Sequence, residues 1–275
     1  GILGYIFPNT FLVNLYGKRY RKNLIDNYQL LKVVDLSNTE VFGGVNVRTC
    51  IVLIKNEKSK ADTSFLKGER YGFEKAETKY FWEEIDNNIG NWLNLAYTNN
   101  EDQSIVEKIK KSKATLGEYF EVSQGLIPYD KYRGHDENTI KNRIWHSDRK
   151  KDETFKKELK GSDVQRYVIK WNGKTWISYG DWLAAPRERK YFVNPRVLVR
   201  EITDQKGMIS AYTNEEYYNT PSIINIINSS NNENLLKAVL SILNSKLVAW
   251  YHMHNSPKAR KGLFPKVLVD DIRNL

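Results

Sequence analysis

Two acidic triplets in the sequence have the spacing of a magnesium-dependent nuclease. Such a centre places an acid upstream of a Glu-x-Lys triplet, because carboxylates hold the metal ion. Asp62 precedes the triplet at residues 77–79, and Asp148 precedes the triplet at residues 158–160. Both triplets lie in polar segments, and 28% of all residues are charged, so such triplets also arise by chance. A nuclease that uses one of these Glu-x-Lys triplets therefore stays an alternative interpretation.

Three basic and aromatic segments, residues 124–133, 186–190 and 254–261, have the composition of DNA-contacting loops. Cations neutralise phosphates, while Arg, Asn and Gln side chains can pair with base edges. The candidate DNA-binding residues are Gln124, Tyr129, Lys131, Arg133, Arg187, Arg189, Lys190, Asn255, Ser256, Lys258, Arg260 and Lys261. For each single residue, an ordinary solvated surface is the alternative.

Other chemistry has no matching motif in the chain. There is no Walker loop, no Gly-x-Ser-x-Gly turn and no Gly-rich cosubstrate loop between a strand and a helix. His252 and His254 are two residues apart, so on a helix they would point to different faces. Cys50 is the only cysteine, which excludes an internal disulfide and a cysteine zinc site and fits the cytoplasm. We expect neither a catalytic residue nor a metal site.

Charge is distributed unevenly along the 275 residues. The chain has 43 Lys and Arg residues against 33 Asp and Glu, a net charge of +10. Residues 131–275 hold 26 basic and 16 acidic side chains, so this segment accounts for the whole surplus. A basic segment with interleaved aromatic residues favours a polyanionic partner, with a lysine-rich surface as the alternative. No apolar run approaches the roughly 20 residues of a membrane span, so we expect a soluble monomer without a membrane partner.

The hydrophobic pattern predicts the elements that would position these side chains. Residues 1–57 have the pattern strand, helix, strand, strand, with the helix over residues 9–28 and the last two strands antiparallel. Residues 55–65 are predicted to form a loop or linker, and helical pieces follow up to residue 114. Short β-type segments dominate after residue 115, with a hairpin at Asn172-Gly173 and a long helix from Asn234 to His252.

Two groups of short segments resemble a known family. The first resembles the last third of an adenine-specific amino-methyltransferase domain, and its segments are residues 4–12, 18–21, 33–36, 40–42 and 47–53. The second is similar to the TaqI-like C-terminal specificity domain of type II DNA methyltransferases and fused restriction–modification enzymes. Its segments are residues 116–125, 161–164, 196–202, 243–246 and 264–266. Their order and spacing along the chain carry the resemblance.

The resemblance implies a fold and a function. Residues 1–57 would be an α/β remnant of a Rossmann-like methyltransferase domain, residues 58–114 a helical linker, and residues 115–275 an α+β target recognition domain. Its implied partner is double-stranded DNA, in which the parent enzyme flips out an adenine and methylates it with S-adenosylmethionine. Phe42 resembles the aromatic residue that packs on the flipped base, with a core position as the alternative.

The departures from the family limit what this chain can do. None of the seven prolines is adjacent to another, so the catalytic Asn-Pro-Pro-Tyr motif is absent, as is the Gly-rich cosubstrate loop. The chain opens on apolar residues without an initiator Met, so we expect a piece of a longer protein. We expect the piece to bind no cofactor and to be inactive alone. The parent would use S-adenosylmethionine, with magnesium if a nuclease is fused.

Overall fold

The computed structural model describes residues 1–14, 16–37, 39, 41–44, 47–69, 72–73, 78–97, 100–111, 114–204, 206–256 and 266–275. The chain divides into two compact units, Gly1–Lys111 and Ser112–Leu275. None of the described helices is long and apolar enough to cross a membrane.

Unit 1 is built on one mixed sheet. Its strands are β1 (Ile2–Pro8), β2 (Gln29–Asp35), β3 (Thr49–Lys55), β4 (Thr63–Glu69), β5 (Gly72–Phe73) and β6 (Thr78–Tyr80). Its helices are α1 (Lys18–Asn27), α2 (Trp82–Asn87), α3 (Leu93–Tyr97) and α4 (Asn100–Lys110), with a short 3-10 helix at Asn9–Leu12. The order is β1-β3-β2-β4-β5, and β6 also pairs with β4. The predicted antiparallel pairing of β2 with β3 is confirmed, and β2 pairs with β4 in parallel.

A buried arginine connects the helices of unit 1. Arg21 lies on α1 and donates to the backbone oxygens of Phe11, Asn14, Ile89 and Gly90. Burial lowers the pKa of Arg21 to about 10. The apolar spacing over residues 9–28 predicts a single helix with Arg21 on its polar, solvent-facing side, and both parts of this prediction are wrong. The α-helix starts only at Lys18, and Arg21 bonds backbone oxygens of Phe11 and Asn14 in the segment before it, as a buried guanidinium requires.

The linker prediction for residues 58–114 also differs from the structure. Residues 63–69 form β4, which pairs in parallel with β2 so that Phe65 lies opposite Val33. Phe65 is fully buried beside Trp92, so this segment is part of the core of unit 1. Phe65 has polar neighbours in the sequence, so no apolar pattern indicated a strand here. Thr63 and Ser64 are buried as well, in the strand that pairs with β2. Helices follow from Trp82 onward, as expected.

Unit 2 contains several small sheets. Its strands are β7 (Glu121–Gln124), β8 (His146–Ser147), β9 (Phe155–Leu159), β10 (Val164–Gln165), β11 (Val168–Ile169), β12 (Trp176–Ser178), β13 (Arg196–Arg200), β14 (Ser210–Thr213), β15 (Tyr218–Asn219) and β16 (Ile223–Ile227). Its helices are α5 (Leu116–Tyr119), α6 (Glu137–Lys141), α7 (Lys190–Val193), α8 (Glu233–Leu243), α9 (Lys246–Asn255) and α10 (Val269–Arg273). The mixed α and β character agrees with the predicted class.

Two four-stranded sheets organise unit 2. The first has the order β14-β13-β16-β7, is antiparallel throughout and packs against α8 in the largest apolar cluster. The second has the order β15-β9-β12-β8. Arg196 on β13 is fully buried and donates to the backbone oxygens of Asn194, Glu215 and Tyr217. Burial lowers the pKa of Arg196 to about 10.

Two local predictions for unit 2 were wrong. Asn172-Gly173 forms a turn, but β11 pairs with β10 and β12 pairs with β8 and β9, so no hairpin results. The helix expected from Asn234 to His252 is broken at Asn244. The side-chain oxygen and nitrogen of Asn244 both bond the backbone of Ser210. The Ser245 side chain then caps α9 by accepting from the Val248 amide. The helical spacing of the apolar residues gave no sign of this break.

Candidate nucleic-acid interface

Two of the three predicted DNA-binding segments lie side by side in unit 2. The first loop (residues 125–135) follows β7, and the second loop (residues 179–190) runs from the end of β12 to the first residue of α7. An antiparallel bridge joins the loops, with Ile127 N donating to Ala185 O at 2.8 Å and Ala185 N donating to Ile127 O at 2.9 Å. The bridge therefore joins two segments that are far apart in the sequence.

Side chains add further bonds between the loops. Arg133 Nη1 donates to Ala184 O at 2.6 Å, and a ring nitrogen of His135 lies 2.9 Å from Trp182 O. Within the second loop, the hydroxyl of Tyr179 donates to the backbone oxygen of Arg187 at 2.8 Å. Arg187 adopts a φ of 62°, in the left-handed region. The backbone bridge and these side-chain bonds thus join the two loops.

The first loop starts at a glycine that the fold requires. A Cβ atom at Gly125 would lie closer to the carbonyl oxygens of Asn219 and Thr220 than real side chains approach. The next residue, Leu126, donates its amide to Asn219 O at 2.9 Å. This close approach attaches the loop to the strand β15. Gln124, the predicted contact before the glycine, is half-buried at the end of β7.

Tyr129 belongs to a chain of polar groups inside unit 2. Its hydroxyl accepts from the Trp145 amide at 2.9 Å and lies 2.8 Å from His146 Nδ1. His146 Nε2 lies 3.3 Å from the buried carboxylate of Glu158. Burial raises the pKa of Tyr129. In the structure, the hydroxyl predicted to contact DNA is therefore engaged in holding the first loop against β8.

The tip of the first loop carries the exposed side chains. Lys131 is exposed, and its Nζ lies 4.8 Å from the ring of Tyr132, which is 86% exposed. Arg133 is exposed as well, although its guanidinium is tied to the second loop. Tyr132 lies within the first predicted segment but is not among its candidate contact residues, and the partly exposed Trp182 lies outside all three segments. Their exposure depends on tertiary packing, so the sequence offered only their aromatic character as a signal.

Two basic residues of the second loop, Arg189 and Lys190, are paired with carboxylates, whereas Arg187 Nε lies 3.5 Å from the backbone oxygen of Gly125. Lys190 Nζ lies 2.7 Å from Glu121 and 3.3 Å from Glu188, and Arg189 lies 3.8 Å from Glu216. Hydrogen bonding to Glu121 raises the pKa of Lys190, and the same bond lowers the pKa of the Glu121 carboxyl. All these groups are solvent-accessible, so phosphates could compete for the cations at modest cost.

The third predicted segment is only partly described. Asn255 is the last residue of α9 and is half-buried, whereas Ser256 is buried. Lys258, Arg260 and Lys261 lie outside the described residues. In unit 1, Phe42 is 47% exposed in the segment between β2 and β3, which does not match the core position considered as its alternative.

The two Glu-x-Lys triplets fare differently in the structure. Glu77 lies outside the described residues. Glu158 is buried next to His146, whereas Asp148 and Lys160 are exposed. Within the described parts of the chain, His, Cys, Asp and Glu side chains form no group of three or more that could hold a metal ion.

Comparison with known proteins identifies the C-terminal part of the chain. Residues 156–275 match the family of TaqI-like C-terminal specificity domains. The chain is 25% identical over 294 residues to a protein of Methanocaldococcus jannaschii with the provisional name type II restriction enzyme and methyltransferase. That match covers 100% of this chain and 23% of the relative, so the chain spans about a quarter of the relative's length.

Solved structures support the relationship at the level of fold. The Type IIL restriction–modification enzyme MmeI, solved in complex with DNA, matches 99% of this chain and 38% of its own, with a TM-score of 0.57 and 10% identity. A nuclease-deletion mutant of the Type ISP restriction–modification enzyme LlaGI matches 97% of this chain and 28% of its own, with a TM-score of 0.50 and 10% identity. Residues 156–275 therefore match the family of TaqI-like C-terminal specificity domains, and the chain is similar in fold to parts of restriction–modification enzymes.

Proposed function

We propose that unit 2 recognises a short sequence in double-stranded DNA as the specificity region of an adenine-specific DNA methyltransferase or a fused restriction–modification enzyme. The family match over residues 156–275 carries this proposal. The solved relatives MmeI and LlaGI are bound to DNA or to a DNA substrate mimic, which supports the same partner for this chain.

The joined loops are the surface that we propose for base recognition. The Ile127–Ala185 bridge brings the basic and aromatic side chains of the first loop next to those of the second. Arg side chains can pair with guanine edges, while exposed rings and Lys groups pack against sugars and phosphates. Because the backbone holds both loops, binding would require little ordering of the protein, which favours affinity.

For unit 1, we propose that it is the end of the Rossmann-like methyltransferase domain of the parent enzyme. In its sheet, β3 lies between β1 and β2 and is antiparallel to both, so β1 and β2 run in the same direction with α1 between them. That is the β-α-β connection of doubly wound folds. On β1, the side chains of Ile2, Leu3 and Tyr5 are exposed, an apolar surface that the rest of such a domain would cover.

The experiment that tests DNA recognition is selection from a randomised duplex library with the purified chain. We expect enrichment of one short motif, with the enriched duplex bound roughly a thousandfold or more tighter than a scrambled one. The double substitution Lys131→Ala/Tyr132→Ala should lower this discrimination, whereas Lys237→Ala, on the exposed face of α8, should not. Binding without any motif preference would contradict the proposal.

A second experiment tests whether methyl transfer requires the parent enzyme, while this chain only binds DNA. The chain lacks the Asn-Pro-Pro-Tyr motif and the Gly-rich cosubstrate loop, so we expect no methyl transfer from labelled S-adenosylmethionine to the enriched duplex. The parent enzyme should transfer the label to an adenine in the same duplex. Transfer by the chain alone, or transfer by the parent to cytosine, would contradict this assignment.

A further inference from the structure

A basic cavity beside α9 is lined by residues that, apart from His254, lie outside the three predicted DNA-binding segments. Its volume is about 730 Å³, and three cations line it together with a stacked pair of rings. The lining side chains that matter here are Arg166, Lys206, Asn244, Lys246, Trp250 and His254. No acidic residue is among the lining residues described for this cavity. We call it the α9 cavity.

The walls of the α9 cavity are held together by specific contacts. Arg166 Nη2 donates to Asp204 Oδ1 at 3.1 Å and to Gly207 O at 3.2 Å. Gly207 has a φ of 97°, and a Cβ atom there would lie 2.7 Å from the Cα of Ala249 on α9. Only glycine allows this approach, which places the turn that carries Lys206 directly against α9.

The start of α9 forms a further wall of the cavity and is also held by hydrogen bonds. Asn244 accepts from Ser210 N at 3.1 Å and donates to Ser210 O at 3.0 Å, so the start of α9 is joined to β14. The rings of Trp250 and His254 stack at 4.3 Å on the next turns of the helix. These contacts hold together the three segments that carry Arg166, Lys206 and Lys246.

The positive charge around the α9 cavity does not stabilise the helix α9. Lys246 is the first residue of α9, where the helix dipole disfavours a cation, and the first turn contains no acidic residue. Lys206 and Arg166 add to the same positive potential, which Asp204 lowers through its ion pair with Arg166 at 3.1 Å. An anionic ligand would compensate the helix dipole and the charges of Lys206 and Lys246.

We propose that the α9 cavity binds the phosphodiester backbone of duplex DNA and thereby fixes the position of unit 2 on the duplex. The cavity is larger than a single phosphate needs, and its lining residue His254 is the first residue of the third predicted DNA-binding segment, just before α9 ends at Asn255. This inference rests on the proposed function. It assigns phosphate contacts to Lys206 and Lys246, which hold the duplex without reading its bases.

The salt dependence of binding tests the inference. The double substitution Lys206→Ala/Lys246→Ala should lower the affinity for the enriched duplex and for a scrambled duplex by the same factor. The slope of log affinity against log salt should fall by about 2, because two phosphate contacts are lost. The matched control is Lys170→Ala/Lys174→Ala, which removes two exposed lysines elsewhere in unit 2 and should leave the slope unchanged.

The possible outcomes separate this inference from the proposed function. If the native chain binds the enriched duplex and the cavity variant keeps the native affinity and slope, the inference fails and the proposed function stands. If the variant loses saturable binding of inorganic phosphate but keeps its affinity for the duplex, the cavity belongs to a small anion, which also overturns the inference. If the native chain binds no duplex at low salt, both fail. Thermal unfolding should show no loss of stability in the cavity variant, because Lys246 opposes the helix dipole.

Discussion

Replacing Gly125 by alanine should detach the first loop from β15. The added methyl group would overlap the carbonyl oxygens of Asn219 and Thr220, and backbone atoms cannot rotate away as a side chain would. The chain must move at residue 125, which strains the hydrogen bond from the Leu126 amide to Asn219 O. Overpacking of this kind costs about 1–3 kcal/mol of folding free energy. We expect Gly125→Ala to destabilise unit 2 by that amount and to weaken binding of the enriched duplex.

Gly161→Ala is the matched control for this substitution. A Cβ atom at Gly161 would meet its nearest neighbour, Ser222 O, at an ordinary 3.5 Å, so the free energy of unfolding should change by less than about 0.5 kcal/mol. Urea unfolding measures the stability, and hydrogen exchange at the Leu126 amide reports locally on the loop. Native stability together with native protection of Leu126 in Gly125→Ala would refute the reasoning.

Three further outcomes are expected. Arg196→Met should lower the stability of unit 2 by about 2–4 kcal/mol in urea unfolding, because the carbonyl groups that the guanidinium bonds stay buried without partners; a change below 0.5 kcal/mol (about the effect of a neutral surface substitution) would contradict this. Burial raises the pKa of the Cys50 thiol to about 12, so a thiol reagent at pH 8 should react with the unfolded chain and not with the native one. Because Lys190 lowers the pKa of Glu121, the pair stabilises unit 2 above the ordinary pKa of Glu and is lost as pH falls through the lowered value. The stability difference between the native chain and Lys190→Met should therefore shrink between pH 7 and pH 3 in urea unfolding, and a constant difference would count against the pair.

The apolar runs of the sequence predicted the first three strands of unit 1, because these strands are mostly apolar and pair with one another. The three strands near residues 2–7, 30–36 and 47–54 are all present, with small shifts at their ends. The strand β4 was missed because its burial comes from pairing with β2, which no local pattern shows. Arg21 was misplaced for the same reason, since its partners include the distant backbone oxygens of Ile89 and Gly90.

In unit 2, composition indicated the right segments but not the roles of single residues. The first and second segments do meet, through a bridge between residues 58 positions apart that spacing alone could not reveal. Tyr129 and Tyr132 are similar in sequence context, yet one is held inside by His146 and the other is exposed. The α9 cavity was missed because its cations come from three elements that are distant in sequence.

The central claim is that the joined loops contact the DNA sequence that unit 2 recognises. Because Cys50 is buried, a photo-cross-linker can be attached selectively to the variant Tyr132→Cys, with Ile242→Cys on the exposed face of α8 as the control position. We expect cross-linking from residue 132 to the enriched duplex, abolished by excess unlabelled enriched duplex but not by a scrambled one, and little from residue 242. Equal yields from both positions, or cross-linking from residue 132 that the scrambled duplex removes equally well, would contradict the claim.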